Sequence, residues 1–219
     1  MTHRRYYEQV IDDFEQRRID VLVGTQMIAK GLDFPFVSFV GVMDADTAAL
    51  GADFRSHERL FQLITQVAGR AGRGNTPGEV VVQTNSPGLP ALRFALQHDY
   101  ESFVNAELPM RETVGFPPFR RLARIELAHA REEIARKEAE ALSDRIDAVI
   151  QAMSLEHADV LGPNPCFLPR LRGRYRYDML VRARNASDLR SLLVRLEAEG
   201  ALRTKVKSMI VDVDPVALS

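Results

Sequence analysis

Two arginines three residues apart, Arg70 and Arg73, follow a predicted helix and lie among glycines in the segment Thr65–Gly74. Glycine lets the backbone approach a ligand closely, and guanidinium groups bind phosphate oxygens in bidentate fashion. Gln66 precedes Arg70 by one helical turn and therefore shares its face. This pattern predicts a site that binds phosphate oxygens. It is equally typical of an exposed turn with solvated charges.

The residues around this segment predict an α/β lobe. Apolar residues recur at helical spacing in 3–17 and 55–68. The short apolar runs at 20–24, 37–43 and 80–84 predict strands that are buried on both faces. Strands of this kind alternate with helices in parallel sheets. We therefore expect a parallel sheet that positions the arginine segment at its end.

The second half of the chain predicts a different architecture. Residues 90–112 are expected to be helical, and 115–119 break the chain with glycine and proline. In 122–128, apolar and charged residues alternate, as in a strand with one buried face. The predicted order that follows is βαβββαβ, a small α+β domain with helices on one face. Its strands are expected at 122–128, 158–161, 166–171, 175–183 and 206–213, and its helices at 131–153 and 187–199.

These patterns divide the chain into three predicted parts. Residues 1–88 form the α/β lobe, 89–118 a helical connector and 119–219 the α+β domain. Three parallel strands make a thin sheet, so we expect the lobe to begin before Met1 and the chain to be a fragment of a longer protein.

The composition excludes several classes of protein. The 219 residues are 46% hydrophobic and 27% charged, which is typical of a folded domain and excludes long disordered segments. The single cysteine, Cys166, excludes an intrachain disulfide and any multi-cysteine zinc site in this chain. The five histidines lack metal-ligand spacing. No run approaches the roughly 20 apolar residues of a membrane span, so we expect no membrane partner. The single cysteine is typical of a reducing compartment, so we expect a cytoplasmic protein.

Total charge is uninformative, because 29 Lys and Arg balance 30 Asp and Glu. The distribution is informative, because arginines cluster near the end of the chain. On a strand, Arg174 and Arg176 would share one face and Tyr175 and Tyr177 the other. Arginines neutralise phosphates and tyrosines stack on unpaired bases, so this cluster predicts nucleic-acid binding. A solvated strand face above core tyrosines is the alternative. The clustered arginines are Arg170, Arg172, Arg174, Arg176, Arg182 and Arg184.

The motifs together resemble a known family. Gln66–Arg73 resembles motif VI of superfamily 2 helicases, and Leu22–Pro35 resembles their motif V. With five further stretches, the chain resembles the C-terminal part of the PriA family of replication-restart helicases over nearly its whole length. Those five stretches are Met43–Asp46, Asp53–Arg59, Gly115–Phe119, Gly173–Tyr177 and Val211–Pro215.

The resemblance implies that 1–88 is an incomplete RecA-like helicase lobe. It implies that Arg73 is the principal arginine finger at the γ-phosphate of ATP, with Arg70 as a second phosphate contact and Gln66 near the same phosphate. A fixed guanidinium stabilises the charge that develops during phosphoryl transfer. Residues implied to face the nucleotide are Asp33, Gly31, Gly69 and Gly72.

The resemblance also implies contacts to DNA and the cofactors. Thr25 and Lys30 would touch the DNA backbone, although without the resemblance an ordinary strand-to-helix loop is the better explanation of these two residues. ATP with Mg²⁺ would be shared with a first lobe, because this sequence has no P-loop. Asp44 and Asp46 resemble a Walker B site, but they follow motif V, so we expect no magnesium there. The family's zinc site has no counterpart in this sequence.

The implied function is that of an ATP-dependent 3′ to 5′ DNA helicase that recognises stalled or branched forks and restarts replication through primosome assembly. Implied partners are branched and single-stranded DNA, single-stranded-DNA-binding protein, primosome proteins and the N-terminal half of the helicase. We predict that this chain alone does not hydrolyse ATP. Two alternatives remain: a non-catalytic module that binds DNA or a partner protein, and another superfamily 2 motor such as a RecG-like branch-migration helicase.

Overall fold

The computed structural model describes residues 3–25, 34–49, 53–69, 71, 78–206 and 208–218. The chain divides into two compact units, residues 1–49 with 57–103 and residues 50–56 with 104–219. No helix within the described ranges is long and apolar enough to cross a membrane.

The helices and strands occur in the following order along the chain: α1 (His3–Glu15), β1 (Phe39–Val42), α2 (Asp46–Ala49), α3 (Ser56–Ala68), β2 (Glu79–Val82), α4 (Pro90–Leu96), α5 (Tyr100–Val114), β3 (Arg121–His129), α6 (Glu132–Ala152), β4 (Asp159–Leu171), β5 (Arg174–Ala183), α7 (Ala186–Ala198) and β6 (Ser208–Val213).

The first unit contains a small parallel sheet, as the sequence predicts. Strands β1 and β2 pair in parallel, with Val40 opposite Val80. The apolar stripe of α3 is buried, and Leu60 and Ile64 are almost completely inaccessible to solvent. On its rim, the ring of Phe61 stacks on that of Phe103 with centroids 4.6 Å apart. The helix is therefore held by burial of one face, which leaves its other face to solvent.

The start of the first unit differs from the prediction in one place. Phe14 is buried in α1, and its ring packs edge-on against Phe34 with centroids 4.9 Å apart. The strand expected at 20–24 is not formed, and Val21 and Val23 are 72% and 87% exposed. An apolar run becomes a strand only where a neighbouring strand supplies hydrogen bonds. Within the described ranges, no strand pairs with this segment.

The second unit is an antiparallel four-stranded sheet with the order β4-β5-β3-β6. In the central strand β3, Ala123, Ile125 and Leu127 are fully buried, while Arg124 and Glu126 point to the other face. Helices α6 and α7 pack on the buried face and complete one hydrophobic core. The alternation that predicted this strand is therefore confirmed.

Helix α6 is placed by an apolar stripe at helical spacing. Ala135, Ala139, Leu142 and Ile146 are fully buried, at intervals of three and four residues. Helix α7 begins at a capping residue, since the Asn185 side chain accepts a hydrogen bond of 2.9 Å from the Asp188 amide.

The two strands expected at 158–161 and 166–171 are one strand, β4, so the order of the second unit is βαββαβ. Irregularities in its pairing with β5 fall between Leu161 and Asn164 and between Pro165 and Arg170. Gly162 lies at the first of them with φ +104°, where a Cβ would come within 3.0 Å of the Asp178 carbonyl oxygen. Glycine and proline locally interrupt the ladder without ending the strand, which the sequence pattern alone does not reveal.

Candidate functional site

The end of helix α3 carries the described part of the predicted phosphate-binding segment. The helix ends at Ala68, and the Gly69 amide donates to the Thr65 carbonyl oxygen at 3.1 Å. Gln66 lies on the exposed face of the last turn, because Ile64 and Val67 take the buried positions around it. The helix therefore presents Gln66 and Gly69 at its solvent-facing end, immediately before the arginines.

Most of the other residues predicted to bind nucleotide or DNA through motifs V and VI lie outside the described residues. Thr25 is described, and it is exposed at the end of a segment that forms neither helix nor strand. The structure thus gives local surroundings for Gln66, Gly69 and Thr25 alone. The predicted residues outside the described ranges are Lys30, Gly31, Asp33, Arg70, Gly72 and Arg73.

Asp46 joins the ends of the two parallel strands of the first unit. It is 7% exposed, and its carboxylate accepts from the Thr84 hydroxyl at 2.9 Å and from the Asn85 amide at 2.6 Å. The hydrogen bond from the Asn85 amide, followed by that from Thr84, holds the pKa of this carboxyl below its ordinary value. Both carboxylate oxygens serve the protein's own backbone and side chains. This arrangement gives Asp46 a structural role rather than a place in a magnesium site.

Among the described residues, no group of three His, Cys, Asp or Glu side chains is arranged to hold a metal ion.

The hairpin that joins β4 to β5 carries the predicted arginine cluster. Its turn consists of Arg172 and Gly173, and both have positive φ angles, +50° and +78°. Leu171 pairs with Arg174 across this two-residue turn. Two residues with positive φ match the type I′ turn, whose twist fits that of the flanking strands. The turn therefore holds the tip of the hairpin in a defined shape, with Arg174 exposed beside it.

Arg176 is ion-paired, unlike Arg174. Its guanidinium forms a bidentate pair with Glu126 of the neighbouring strand, with both N–O distances at 2.7 Å. The two side chains are only 16% and 12% exposed. The hydrogen bond from Arg176 holds the pKa of Glu126 below its ordinary value, although partial burial opposes this effect. Among the described residues, no carboxylate lies within ion-pair distance of Arg174.

The Arg176 pair belongs to a wider network on the face of the sheet opposite the helices. Arg124 donates to Asp178 at 2.7 Å and lies 3.3 Å from Glu126. Its guanidinium also lies 3.7 Å from the sulfur of Cys166. Burial, followed by the charges of Asp178 and Glu126, raises the pKa of the Cys166 thiol to about 11. The thiol therefore stays protonated at neutral pH, and Cys166 is a packed side chain rather than a nucleophile.

A second cluster ties the β5 end of the sheet to the end of helix α5. Asp159 accepts from Arg182 at 2.6 and 2.9 Å and from Arg120 at 2.8 Å. Arg182 also donates to the carbonyl oxygen of Val114. Burial raises the pKa of Asp159, but the two arginines outweigh it and leave the pKa below its ordinary value. Arg182 thus has a structural role, although the sequence grouped it with the exposed arginines.

The two tyrosines of β5 differ in exposure. Tyr177 is 7% exposed, and its hydroxyl donates to Glu132 at 3.4 Å. Burial, followed by the Glu132 charge, raises the pKa of that hydroxyl. Tyr175 is partly buried against the core, and the Arg170 guanidinium lies 5.0 Å from its ring centroid. One face of Tyr175 therefore already has a cationic neighbour.

The sequence motifs did not identify Glu126, Asp178 or Asp159 as partners of the arginines. The alternation of β3 does place Arg124 and Glu126 on the polar face. Their partners depend on the register between β3 and β5, which sets Glu126 opposite Asp178 and Ala128 opposite Arg176. The pattern within one strand shows which side chains share a face, but it does not show which residues of the neighbouring strand lie opposite them.

Two segments that carried the family resemblance meet in the second unit. The ring of Phe54 stacks on that of Phe116 with centroids 5.5 Å apart. The Arg111 guanidinium lies 5.6 Å from the Phe54 centroid and is paired with Glu107 at 3.0 Å. These contacts hold the chain in place where helix α5 ends. Glu107 and Arg111 are buried, and Phe54 and Phe116 are half-buried.

Comparison with known families defines the class of protein. The family described as "Helicase conserved C-terminal domain" matches residues 2–75, and the family described as "Primosomal protein N C-terminal domain" matches residues 112–216. Strand β1 of the parallel sheet lies within the helicase match and β2 follows directly after it, and the antiparallel sheet lies within the primosomal match. The chain therefore consists of a helicase C-terminal lobe followed by a primosomal-protein C-terminal domain, which confirms the predicted fold class.

Three relatives with similar sequences are all replication restart proteins named PriA. The chain is 36% identical to the replication restart protein PriA of Bacillus subtilis over 208 residues, which are 95% of this chain and 25% of the relative. It is 43% identical to that of Treponema pallidum over 178 residues, 81% of this chain and 26% of the relative. Against that of Haemophilus influenzae, it is 34% identical over 212 residues, 97% of this chain and 28% of the relative.

The chain belongs to the PriA family and corresponds to the C-terminal region of its members. It spans about a quarter of the length of the relatives it matches. The family predicted from motifs V and VI and from the five further stretches is confirmed.

Proposed function

We propose that this chain is the C-terminal part of an ATP-dependent 3′ to 5′ DNA helicase that acts at stalled or branched replication forks and supports restart by primosome assembly. The observation that carries this proposal is that helicase and primosomal families match consecutive parts of one chain, residues 2–75 and 112–216. Such a protein acts on the chromosome, so we place its action in the cytoplasm. Single-stranded-DNA-binding protein and primosome proteins are its proposed partners.

The first unit would complete an ATP site whose P-loop lies in a first helicase lobe. In this proposal, Arg73 contacts the γ-phosphate, and Arg70 and Gln66 lie beside it. Support comes from the exposed position of Gln66 on the last turn of α3, directly before the arginines. Asp33, with Gly31, Gly69 and Gly72, would face the nucleotide and its Mg²⁺, and Thr25 and Lys30 would contact the DNA backbone.

The second unit would supply the contact to branched DNA through the β4–β5 hairpin. Arg174 is suited to a phosphate contact because it is exposed and because no described carboxylate competes for it. Arg176 could reach a phosphate only in competition with Glu126. Tyr175 would contribute the edge of its ring, since Arg170 covers one face. These contacts carry no base sequence information and would position the protein on the fork.

A chimera tests the proposal. The matching region of the Bacillus subtilis relative is replaced by this chain, and ATP hydrolysis is measured with and without forked DNA. We expect hydrolysis that fork DNA stimulates, since the chain would restore the second half of the ATP site. A folded chimera that binds fork DNA but shows no stimulated hydrolysis would overturn the ATP-site assignment.

A non-catalytic DNA-binding module remains the second candidate, and the fixed cationic hairpin is the observation that favours it. Such a module would bind fork DNA with the same affinity whether or not the chimera holds ATP. A helicase part would show an ATP-dependent change in fork affinity, so a titration with and without a non-hydrolysable ATP analogue separates the two.

A further inference from the structure

Exposed apolar side chains lie beside the arginines of the hairpin in the second unit. Phe167, Leu168 and Leu171 are 63%, 54% and 46% exposed. The ring of Phe167 is a large apolar surface, and its removal from water would be energetically favourable. An exposed apolar cluster of this kind, bordered by charged residues, is typical of a binding surface.

An irregularity of β4 creates this cluster. Pro165 pairs with Tyr177 and Arg170 pairs with Tyr175, so that residues 166–169 lie opposite Arg176 alone. The extra residues must leave the plane of the ladder, as in a β-bulge. Cys166 is buried at one end of this bulge, so Phe167 and Leu168 are left on its outer side.

A hydrogen bond from Arg176 holds the backbone of the bulge. The guanidinium that is paired with Glu126 also donates to the Leu168 carbonyl oxygen at 3.4 Å. Because the side chains of Glu126 and Arg176 are largely buried, water competes little for their ion pair, and the guanidinium that holds the Leu168 carbonyl stays in place. Phe167 is therefore presented from a preorganised backbone, which lowers the entropy cost of binding.

The positive charge around the apolar cluster indicates which kind of partner binds there. From Pro165 to Tyr177 the sequence contains four arginines and no Asp or Glu. Association of two copies through this surface would bring the arginine clusters together, and like charges oppose such contact. A polyanion with flat apolar faces satisfies both the arginines and the ring, and DNA with accessible bases has both properties. In closed duplex DNA the base faces are covered by stacking, whereas a fork exposes the face of its last base pair.

We propose that Phe167, supported by Leu168, stacks on the base exposed where double-stranded DNA opens into single strands, while Arg172 and Arg174 hold the adjacent phosphates. The proposal rests on the proposed function of the hairpin as a fork contact and adds the residue that recognises the junction. Phosphate contacts alone bind all DNA alike, whereas stacking on an exposed base favours the junction over closed duplex.

The test uses the whole 219-residue chain and two probes. One probe is a forked duplex with the fluorescent base 2-aminopurine in the last base pair before the fork, and the other is a duplex closed by hairpins at both ends. We expect Phe167→Ala to weaken fork binding at least about fivefold, because base–aromatic stacking is lost. For the same reason, the change in 2-aminopurine fluorescence that accompanies binding should disappear. Binding to the closed duplex and the salt dependence should not change. Phe167→Tyr should behave like the wild type, and Val194→Ala is the matched control for an exposed apolar residue.

The failures of the two proposals are distinguishable. If Arg172→Ala/Arg174→Ala weakens binding to both probes while Phe167→Ala binds the fork as the wild type does, the phosphate contact stands and the stacking role is overturned. If the wild type binds neither probe, the hairpin is not a DNA contact and both fail. Loss of fork preference in Phe167→Ala, with thermal unfolding unchanged, supports the stacking role.

Discussion

The two units of the chain differ in what holds their functional side chains. In the first unit, the proposed ATP-site arginines follow the exposed end of helix α3 in sequence, and the carboxylate of Asp46 is committed to contacts that link the ends of β1 and β2. In the second unit, the strand register decides which arginines are accessible, because Glu126 and Asp159 bind Arg176 and Arg182. A local motif can therefore identify the first set, whereas only a three-dimensional structure separates the accessible from the paired arginines of the second.

The largest effect that tests this comparison is expected at Arg73. In the chimera, Arg73→Ala should lower fork-stimulated ATP hydrolysis by about 10³-fold or more, because an arginine finger stabilises the transition-state charge. Arg70→Ala should have a smaller effect, and Arg136→Ala, at an exposed pair on α6, should have none. A normal rate for Arg73→Ala would remove the first unit from the catalytic site.

In the isolated chain, the same substitution should change nothing. We predict no fork-stimulated ATP hydrolysis for the chain alone, because its sequence contains no P-loop to hold the phosphates. A phosphate-release assay that compares the wild-type chain with Arg73→Ala measures this, and a wild-type rate clearly above the variant would contradict it.

A core substitution in the second unit should give the largest stability effect. Leu142→Ala removes a fully buried side chain between α6 and the sheet. We expect it to lower the free energy of unfolding of this unit by about 2–5 kcal/mol. Hydrogen exchange of the β3 amides measures the loss. Val194→Ala on the exposed face of α7 should leave the exchange unchanged.

The fold was predictable where one face of an element is buried and the other is solvated. The stripe of α6 and the alternation of β3 are signals of this kind, and both elements have nearly the predicted bounds. The prediction of a strand at 20–24 was wrong because apolar residues do not specify a pairing partner. The division of β4 into two strands was wrong because Gly162 and its neighbours interrupt the pairing only locally.

The candidate site was predictable only in part. The exposed Arg174 and the buried Tyr177 agree with the alternation expected for β5. The pairing of Arg176 with Glu126 depends on a contact between residues 50 positions apart in sequence. The exposure of Phe167 depends on the bulge in β4, and an apolar residue in a strand-like run otherwise predicts burial.

The ion-pair network of the second unit should contribute measurably to stability. Glu126→Gln removes the charge that Arg176 and Arg124 share, and it leaves both guanidinium groups partly buried without full compensation. We expect a loss of about 1–3 kcal/mol in chemical denaturation. Glu133→Gln, which breaks the exposed pair with Lys137, should cost less than about 1 kcal/mol. Equal losses would contradict the distinction between the inner and outer pairs.

Low pH should reduce the stability of the second unit, because Glu126 and Asp159 become protonated and lose their ion pairs with arginines. The pKa values of Glu126 and Asp159 lie below their ordinary values of 4.5 and 3.8. Groups with depressed pKa values stabilise the fold above their unfolded pKa, and this stability is lost as the pH falls through the folded pKa. The melting temperature should therefore decline below about pH 4.5. Glu126→Gln/Asp159→Asn should show a shallower decline, and an unchanged pH profile would sink this assignment.

A smaller effect on DNA binding separates two arginines of one strand. Arg174→Ala should reduce the slope of log affinity for fork DNA against log salt by about 1, as expected for one lost phosphate contact. Arg176→Ala should instead lower the melting temperature, because it leaves Glu126 partly buried without its partner. The reverse pattern would show that Arg176, rather than Arg174, contacts the DNA.

One titration tests the central claim that the first unit completes an ATP site while the second contacts fork DNA. ATP hydrolysis by the chimera is measured over a range of forked-DNA concentrations for the wild type, Arg73→Ala and Arg174→Ala. The account predicts that Arg73→Ala lowers the maximal rate at an unchanged half-saturating DNA concentration, and that Arg174→Ala raises that concentration at an unchanged maximal rate. If both variants change the same parameter, or Arg73→Ala leaves the maximal rate intact, the account is contradicted.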